Sequence, residues 1–275
     1  MVTPLYRRAA VGGDRAPLQK LPSELLFAQQ SGILCGLMKV FILAAGLGTR
    51  LRSLGLDVPK VMVSICGKPL LERHFELFKR QGIHEFIVNL HYLPKKITGY
   101  FGDGSRFGVR LEYSYEPDLL GTAGAVKKME RELQDGTFVV FYGDNLVSMK
   151  FAPMLEFHRA RKAVVTIALF ESAEPWTGGV VETEADGRVK RFVEKPDPKQ
   201  VSTNLISAGI FVVEPAVLDE IPAGQFYDFG KDVFPKLLTK GAPLYAMKPD
   251  AYIRDIGTPE RLANAQKDFE KGLLN

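Results

Sequence analysis

The chain has 275 residues, of which 46% are hydrophobic and 25% charged, and its formal net charge is +4 at pH 7. This composition is that of a soluble globular protein, long enough for one large α/β domain or two smaller ones. No basic stripe interleaved with aromatic residues is present, so we expect no nucleic-acid partner. Two cysteines and four histidines without paired ligand spacing argue against a disulfide framework and a zinc site, and favour a reducing, cytoplasmic setting.

The first 37 residues differ from the rest of the chain. Residues 1–37 are basic, are broken by Pro and Gly, and have no sustained strand or helix period. They predict a poorly ordered N-terminal extension, with a short capping helix around 23–29 as the alternative. The apolar stretch 32–48 does not fit a membrane span, because Lys39 lies in its middle and a charge there is costly. We therefore expect one domain over residues 38–275 and no membrane association.

Strand and helix patterns alternate after the extension. Strands are predicted at 39–46, 85–92, 110–116 and 137–144, and helices at 69–82 and 122–134. Beyond residue 160 strands predominate, at 162–172, in a hairpin over 178–196 and at 207–215, and a last helix begins at Thr258. Thr122 is the expected N-cap of the second helix. The alternation predicts a Rossmann-like three-layer α/β/α fold with a mixed, mostly parallel sheet.

A glycine turn, residues 46–48, follows the first predicted strand. Glycine reaches positive φ at low cost and lets backbone N–H groups approach a phosphate. Thr49 and Arg50 come directly after it, and Lys60 lies further along, so a guanidinium and an ammonium are available for a triphosphate. The alternative for this turn taken alone is a tight connection that carries surface charges.

Two common phosphate-binding motifs are excluded for this turn. A dinucleotide fingerprint needs a third glycine where Leu51 stands, and no acidic residue closes a tight βαβ unit about 20 residues later. A P-loop needs Ser or Thr after Gly-Lys, but Pro69 follows the Gly-Lys pair of residues 67–68. An NAD(P) oxidoreductase and a P-loop nucleotidase are therefore disfavoured.

Seven short motifs resemble those of the sugar-nucleotide pyrophosphorylases, the nucleotidyltransferases that act on sugar 1-phosphates. In chain order they are LAAGLGTRL…PK, LGTAGA, YGDN, GVV, VEKP, SAGIF and RDIGTPE. The resemblance extends from residue 39 to about residue 268, and it is greatest to the mannose-1-phosphate guanylyltransferase branch. Members of that branch often carry a C-terminal left-handed β-helix, and this sequence ends before one.

The resemblance implies attack of a sugar-1-phosphate oxygen on the α-phosphorus of a nucleoside triphosphate. Protein catalysis of such a transfer is mainly positioning and charge neutralisation. Arg50, Lys60 and Asp144 are the catalytic residues that the resemblance implies. Asp144 and Asp255 are implied to hold Mg²⁺, a hard ion that prefers carboxylate and phosphate oxygens. Turn capping is the alternative for either aspartate taken alone.

The resemblance also implies a nucleotide site, which would consist of Leu43, Ala44, Ala45, Gly46, Gly48, Thr49, Glu116, Gly121 and Thr122. Glu116 is expected to read the base, because guanine presents N1–H and N2–H₂ as paired donors that a carboxylate accepts. This favours GTP over UTP or dTTP. Gly121 and Gly124 are expected to allow close approach of the base. The alternative is that Glu116 points to solvent and backbone groups select the base.

The implied sugar-phosphate site consists of Gly179, Glu194, Lys195 and Ser207. Lys195 would neutralise the sugar phosphate, Glu194 would accept hydrogen bonds from sugar hydroxyls, and Gly179 would let the backbone come close to the sugar. An exposed ion pair at a hairpin end is the alternative for Glu194 and Lys195. Ser207 stands where the branch frequently has Asn. The expected sugar is mannose 1-phosphate, and glucose or heptose 1-phosphate remains the alternative.

A non-catalytic nucleotide-sugar-binding regulatory protein is the alternative from another class. Such a protein would be expected to lose the arginine or the metal carboxylates, and all of these residues are present. The four histidines and Trp176 are assigned to scaffold or surface, with a wall of the sugar pocket as a lesser alternative for Trp176. Homo-oligomerisation is left open.

Overall fold

The structure is a computed structural model that describes residues 38–46 and 58–273. The predicted extension at residues 1–37 lies outside the described residues, as do Gly48, Thr49 and Arg50 of the predicted site. The domain boundary at residue 38 therefore stays a prediction. Among the described residues, no helix has the length and apolar character needed to cross a membrane.

Thirteen strands and seven α-helices are formed by the described residues. The strands are β1 (Lys39–Leu43), β2 (Ser64–Ile65), β3 (Lys68–Pro69), β4 (Glu85–Leu90), β5 (Arg110–Tyr115), β6 (Phe138–Tyr142), β7 (Asn145–Met149), β8 (Val165–Glu171), β9 (Gly179–Thr183), β10 (Val189–Glu194), β11 (Leu205–Val213), β12 (Leu244–Met247) and β13 (Ala251–Asp255). The helices are α1 (Leu70–Lys79), α2 (Pro94–Phe101), α3 (Gly121–Lys128), α4 (Glu130–Leu133), α5 (Ala152–Arg161), α6 (Phe234–Thr239) and α7 (Pro259–Glu270).

A nine-stranded mixed sheet forms the centre of the domain that the described residues build. The strands β5, β4, β1 and β6 are parallel neighbours in that order, and β8, β9, β10, β11 and β12 complete the sheet. Phe41 and Val140 project to the face that α3 and α4 cover, whereas Phe86 and Phe141 meet the phenyl rings of α1 on the other face. Burial on both faces explains why these strands are continuous apolar runs. The predicted fold class is confirmed.

The sheet opens beside the end of β6. β8 pairs with both halves of β11 along one edge. The other edge of β11 is shared by two strands: β6 pairs with residues 210–213, and β9 pairs at Ile206. The register of the pairing between β11 and β8 shifts between Ser207 and Phe211, around Gly209, whose φ is +69°. A Cβ at Gly209 would lie 2.6 Å from the ring of Tyr142. This break leaves a recess at the carboxyl end of β6, directly before Asp144.

A second, two-stranded sheet was not predicted and brings distant parts of the chain together. β7 pairs with β13 in antiparallel register, with Asn145 opposite Asp255. Since Asn145 follows Asp144 in the sequence, this register places the two predicted metal ligands side by side. The pairing joins residues far apart in the chain, so no local sequence pattern reports it.

The first turn of α3 differs from the prediction. Thr122 lies inside the helix, which begins at Gly121, and it is therefore not the N-cap. Its hydroxyl donates to Oδ2 of Asp228 at 2.8 Å and accepts from the backbone N–H of Phe229 at 2.9 Å. The predicted helix 122–134 is also divided at Met129 into α3 and α4. Thr258, in contrast, is confirmed as the N-cap of α7, because its hydroxyl accepts from the N–H of Arg261.

Three helices, α2, α5 and α6, were missed. α2 and α6 have only eight and six residues, which is too short for a clear apolar period, and each of the three carries a proline in its first turn. Proline in that position is common at the start of a helix, but proline is also typical of turns and loops, so the sequence does not distinguish the two.

Candidate active site

Lys60 joins the two aspartates that follow β6 and end β13. Its ammonium donates to Oδ2 of Asp144 at 2.8 Å and to Oδ1 of Asp255 at 2.9 Å. Lys60 is only 8% exposed, although it lies in a short turn after Pro59. A buried ammonium is tolerated because both carboxylates compensate its charge. The two carboxylates therefore surround one point that accommodates a cation.

Asp255 is held in place by further donors. Arg261 of α7 donates to its Oδ2 at 2.6 Å, and the backbone N–H of Gly257 donates to Oδ1 at 2.7 Å. Burial alone would raise the pKa of Asp255, but Lys60, Arg261 and this backbone N–H together outweigh burial and hold the pKa below its usual range. The carboxyl of Asp255 is thus an anion at neutral pH.

One cleft, here called the Glu116 cleft, lies at the carboxyl ends of β1, β4 and β5. It is lined by Leu43, Ala44, Ala45, Gly46, Lys60, Val61, Asn89, Glu116, Leu119, Gly121, Thr122, Tyr142, Asp144 and Phe226. Every residue of the predicted nucleotide site that falls in the described ranges lines this cleft. In α/β sheets, ligands bind at this edge of the strands.

The two residues directly before the glycine turn, Ala44 and Ala45, do not have free backbone N–H groups. Oδ1 of Asn89 accepts from the N–H groups of Ala44 at 2.6 Å and Ala45 at 3.2 Å. These two donors are therefore satisfied within the protein. Backbone donors for a phosphate would have to come from Gly46 onward.

Glu116 is 1% exposed, so the alternative that it points to solvent is wrong. Its Oε1 accepts from Nδ2 of Asn89 at 2.8 Å and its Oε2 accepts from the N–H of Leu120 at 3.0 Å. Asn89 thus connects Glu116 to the backbone directly before the glycine turn through an unbroken series of hydrogen bonds. Each carboxylate oxygen retains a second lone pair, so Glu116 has acceptor capacity left at the cleft wall.

Gly121 and Gly124 have a different role from the one expected. A Cβ at Gly121 would lie 2.5 Å from the carbonyl oxygen of Tyr227, and one at Gly124 would overlap the carbonyl oxygen of Gln225. The space beside these glycines is occupied by the protein's own 225–227 segment rather than left open for a ligand. The glycines therefore admit this segment against α3.

A second recess, here called the Glu194 cleft, lies in the opening between β6 and β9. The predicted sugar-phosphate residues Gly179, Glu194, Lys195 and Ser207 line it, together with Tyr142, Asp144, Gly209, Arg254, Asp255, Thr258 and Arg261. A Cβ at Gly179 would overlap the ring of Phe192 and would lie 2.9 Å from Oε2 of Glu194, so glycine here makes room for the protein's own ring and carboxylate.

Charged groups at the end of β10 face the Glu194 cleft. Burial raises the pKa of Glu194 and nearby Asp228 adds to the effect, whereas Lys195 and Lys231 oppose it. Lys195 is exposed and has a left-handed backbone with φ of +48°, which is uncommon for a residue with a side chain. Non-glycine residues in such conformations occur at ligand sites, where the surrounding structure maintains the strain.

The two clefts meet at Tyr142 and Asp144, which line both. A ligand in the Glu116 cleft and a ligand in the Glu194 cleft would therefore approach each other beside the Lys60, Asp144 and Asp255 cluster. Such a junction would bring two ligands together at one cationic and acidic point, an arrangement suited to group transfer.

Several residues of the site were missed by sequence reasoning. Asn89 had a detectable signal, because an amide inside the apolar run of β4 requires hydrogen-bond partners when buried. Tyr142 and Arg261 had none, since their contribution depends on neighbours from other strands. Trp176 does not line either cleft. His74 is buried with its Nε2 2.9 Å from the carbonyl oxygen of Asn145, the residue after Asp144.

A family model described as nucleotidyl transferase matches residues 39–272, and the chain belongs to that family. UTP–glucose-1-phosphate uridylyltransferase of Synechocystis sp. is 39% identical over 233 residues, which cover 80% of this chain and 60% of that protein. Mannose-1-phosphate guanylyltransferase of Mycobacterium tuberculosis is 36% identical over 233 residues, covering 84% of this chain and 64% of that protein. The chain thus spans under two thirds of the length of these relatives.

Among solved structures, HddC from Yersinia pseudotuberculosis has a TM-score of 0.73 and 29% identity, covering 84% of this chain and 99% of that chain. The same protein has also been solved in complex with GMP-PN. These likenesses agree with the predicted family and fold.

Proposed function

We propose that the protein is a sugar-1-phosphate nucleotidyltransferase, which joins a sugar 1-phosphate to a nucleoside triphosphate and releases pyrophosphate. The observation that carries the proposal is the junction of the two clefts at Asp144, beside Lys60 and Asp255. Membership of the nucleotidyl transferase family supports this reaction class. The guanylyltransferase and uridylyltransferase relatives support it as well, because both are named as nucleotidyltransferases acting on a sugar 1-phosphate.

In this reaction a phosphate oxygen of the sugar 1-phosphate forms a bond to the α-phosphorus. The bond between that phosphorus and the oxygen leading to the β-phosphorus breaks, and pyrophosphate leaves with the electron pair. Lys60 would neutralise charge that grows at the reacting phosphate, and Arg50 would hold the leaving group. Lys195 would bind the incoming sugar phosphate while Glu194 accepts hydrogen bonds from the sugar hydroxyls.

Asp144 and Asp255 are proposed to hold Mg²⁺. Both carboxylates already lie within 3 Å of one cationic atom, Nζ of Lys60, so a cation between them fits the donor set. In the described ranges no group of three or more acidic, histidine or cysteine side chains is placed to hold a metal. The remaining ligands would therefore be phosphate oxygens and water, as Mg²⁺ prefers. When bound, the ion supplies further charge neutralisation at the transferred phosphate.

For the substrates we propose GTP and mannose 1-phosphate. The acceptor capacity of Glu116 at the cleft wall favours guanine donors, and the Mycobacterium relative and the GMP-PN complex of HddC are guanine-linked by name. The Synechocystis relative favours the second candidate pair, UTP and glucose 1-phosphate.

Pyrophosphate release tests the proposal across four NTPs and several sugar 1-phosphates, including mannose, glucose and heptose 1-phosphates, with and without Mg²⁺. We expect the highest kcat/KM for GTP with mannose 1-phosphate and loss of turnover with EDTA. Highest activity with UTP and glucose 1-phosphate would replace the substrate proposal. Binding of nucleotide sugars without turnover of any pair would favour the non-catalytic regulatory protein.

A further inference from the structure

Phe226 is the most exposed large hydrophobic side chain in the described ranges, at 65%, and it stands at the Glu116 cleft. Leu119, which is 37% exposed, lines the same cleft. Exposed apolar groups grouped at a concave site mark a surface that is covered when a ligand binds. Neither residue takes part in the roles proposed above.

The backbone on either side of these two residues is tied together. The N–H of Tyr227 donates to the carbonyl oxygen of Leu120 at 2.9 Å, and the carbonyl oxygen of Tyr227 accepts from Ala123 and Gly124 at 2.9 and 3.1 Å. Since Tyr227 follows Phe226 and Leu120 follows Leu119, the two apolar side chains are carried by hydrogen-bonded neighbours. The close approach depends on Gly124, as described above.

A second tie fixes the same segment to α3. The hydroxyl of Thr122 donates to Asp228, whose Oδ1 accepts from the N–H groups of Gly230 and Lys231 at 2.9 and 3.1 Å. Phe226 is therefore presented to solvent by an anchored backbone. An aromatic ring presented in this way is preorganised for a partner, which lowers the conformational entropy lost on binding.

The Glu116 cleft is chemically divided. Lys60 and Asp144 place charge where it meets the Glu194 cleft, whereas Leu119 and Phe226 offer apolar surface beside the buried carboxylate of Glu116. A nucleoside triphosphate has the same division, with charge on its phosphates and a planar π-face on its base. Aromatic side chains can stack on the face of any base, because every base has a π-face, and the strength of the contact depends on how much of the ring is covered.

We propose that Phe226 stacks on the face of the nucleobase, with Leu119 as a second apolar contact, while Glu116 contacts the edge of the base. This inference rests on the proposed function, and it adds a base-binding residue to it. Phe226 supplies affinity for the base and none for the triphosphate. A purine covers more of a phenyl ring than a pyrimidine does, so the contact favours GTP over UTP.

Isothermal titration of GTP, UTP and inorganic tripolyphosphate into wild type and Phe226→Ala tests the proposal. We expect about tenfold weaker GTP binding, equivalent to about 1.4 kcal/mol, a smaller loss for UTP and an unchanged Kd for tripolyphosphate. Phe226→Trp should retain or strengthen GTP binding. The matched control is Tyr100→Ala, since Tyr100 is an exposed aromatic on α2 that lines neither cleft.

Two results would overturn the inference. One is a GTP Kd in Phe226→Ala within twofold of wild type, and the other is an equal weakening of GTP and tripolyphosphate. Thermal melting confirms that each variant is folded. The proposed function is assessed separately, by pyrophosphate release from the wild-type protein, so wild-type turnover with unaltered nucleotide affinity in Phe226→Ala would reject only the stacking role.

Discussion

The ammonium of Lys60 lies 2.8 Å from Oδ2 of Asp144, and the same nitrogen reaches Asp255 at 2.9 Å. Two carboxylates from the ends of different sheets thus share one cation supplied by the chain. The pairing of β7 with β13 creates this geometry. A divalent ion held by the same two carboxylates would have to displace Lys60, and the displaced ammonium would then be free for a phosphate.

The carboxylates should be essential to turnover. Asp144→Asn and Asp255→Asn retain side-chain shape but remove the negative charge, so we expect a loss of about 10²-fold or more in kcat, as for other groups that act on transition-state charge. The kcat of each variant is measured as pyrophosphate release at saturating Mg²⁺. Asp219→Asn is the control, because Asp219 is exposed and lines neither cleft. Turnover within twofold of wild type in either variant would remove these residues from the metal site.

Lys60 should compete with metal ions when no nucleotide is bound. Lys60→Met keeps much of the side-chain volume but removes the ammonium, so the two carboxylates would repel each other and attract a divalent cation more strongly. We expect tighter Mn²⁺ binding, measured by electron paramagnetic resonance without nucleotide, together with reduced turnover. Lys190→Met, at an exposed position of β10, is the control. Unchanged or weaker Mn²⁺ binding in Lys60→Met would count against competition at this point.

Glu116→Gln tests the hydrogen bonds behind the cleft wall. Glu116 accepts hydrogen bonds from two donors, Asn89 and Leu120. In Glu116→Gln the NH₂ group of the new side chain would point at one of these donors, so that hydrogen bond would be lost. We expect a loss of about 1–3 kcal/mol in the free energy of unfolding, measured by urea denaturation. Any change in base preference from guanine toward uracil or thymine is read from the NTP profile of the folded variant.

The double variant that combines Asn89→Asp with Glu116→Gln serves as the matched control. The carboxylate introduced in β4 would still accept from the N–H groups of Ala44 and Ala45, and the introduced amide would donate to that carboxylate while accepting from Leu120. Every hydrogen bond is thus restored, with the direction of the bond between the two side chains reversed. We expect stability to recover relative to Glu116→Gln alone. If the double variant is no more stable than the single one, the hydrogen-bond network does not determine the cost.

His74 should make the protein sensitive to acid. Burial lowers the pKa of His74 to about 4, while hydrogen bonding to Asn145 and the charge of Asp144 oppose the shift. An unfolded histidine has a pKa of about 6.5, so between these values the unfolded chain binds more protons. The stabilising contribution is therefore complete above about pH 6.5 and is lost as the pH falls toward 4, by at most about 3 kcal/mol.

Urea denaturation between pH 4 and 7.5 measures this dependence. His74→Gln cannot ionise and can still donate to the carbonyl oxygen of Asn145, so its stability should vary less with pH than that of wild type. His84→Gln, at an exposed position, should keep the wild-type profile. Parallel pH profiles for wild type and His74→Gln would assign the acid sensitivity to other groups.

Local patterns predicted eight of the thirteen strands, including the hairpin at residues 178–196, and the last helix with its Thr258 cap, because period and capping depend on neighbouring residues. They did not predict that Thr122 bonds to Asp228 instead of capping a helix. Nor could they distinguish glycines that admit a ligand from Gly121 and Gly124, which admit the chain itself. Both outcomes depend on the 225–228 segment, which is remote in sequence.

The amino-acid sequence by itself determined the alternation of strands and helices, the family and the residue types gathered for phosphate chemistry, since each is encoded over short stretches or in ordered motifs. Only the tertiary structure decided that Asp144 and Asp255 share Lys60, that Asn89 links the backbone before the glycine turn to Glu116, and that Phe226 stands at the cleft. These relationships join residues from separate strands, and strand pairing and close packing set the distances between them.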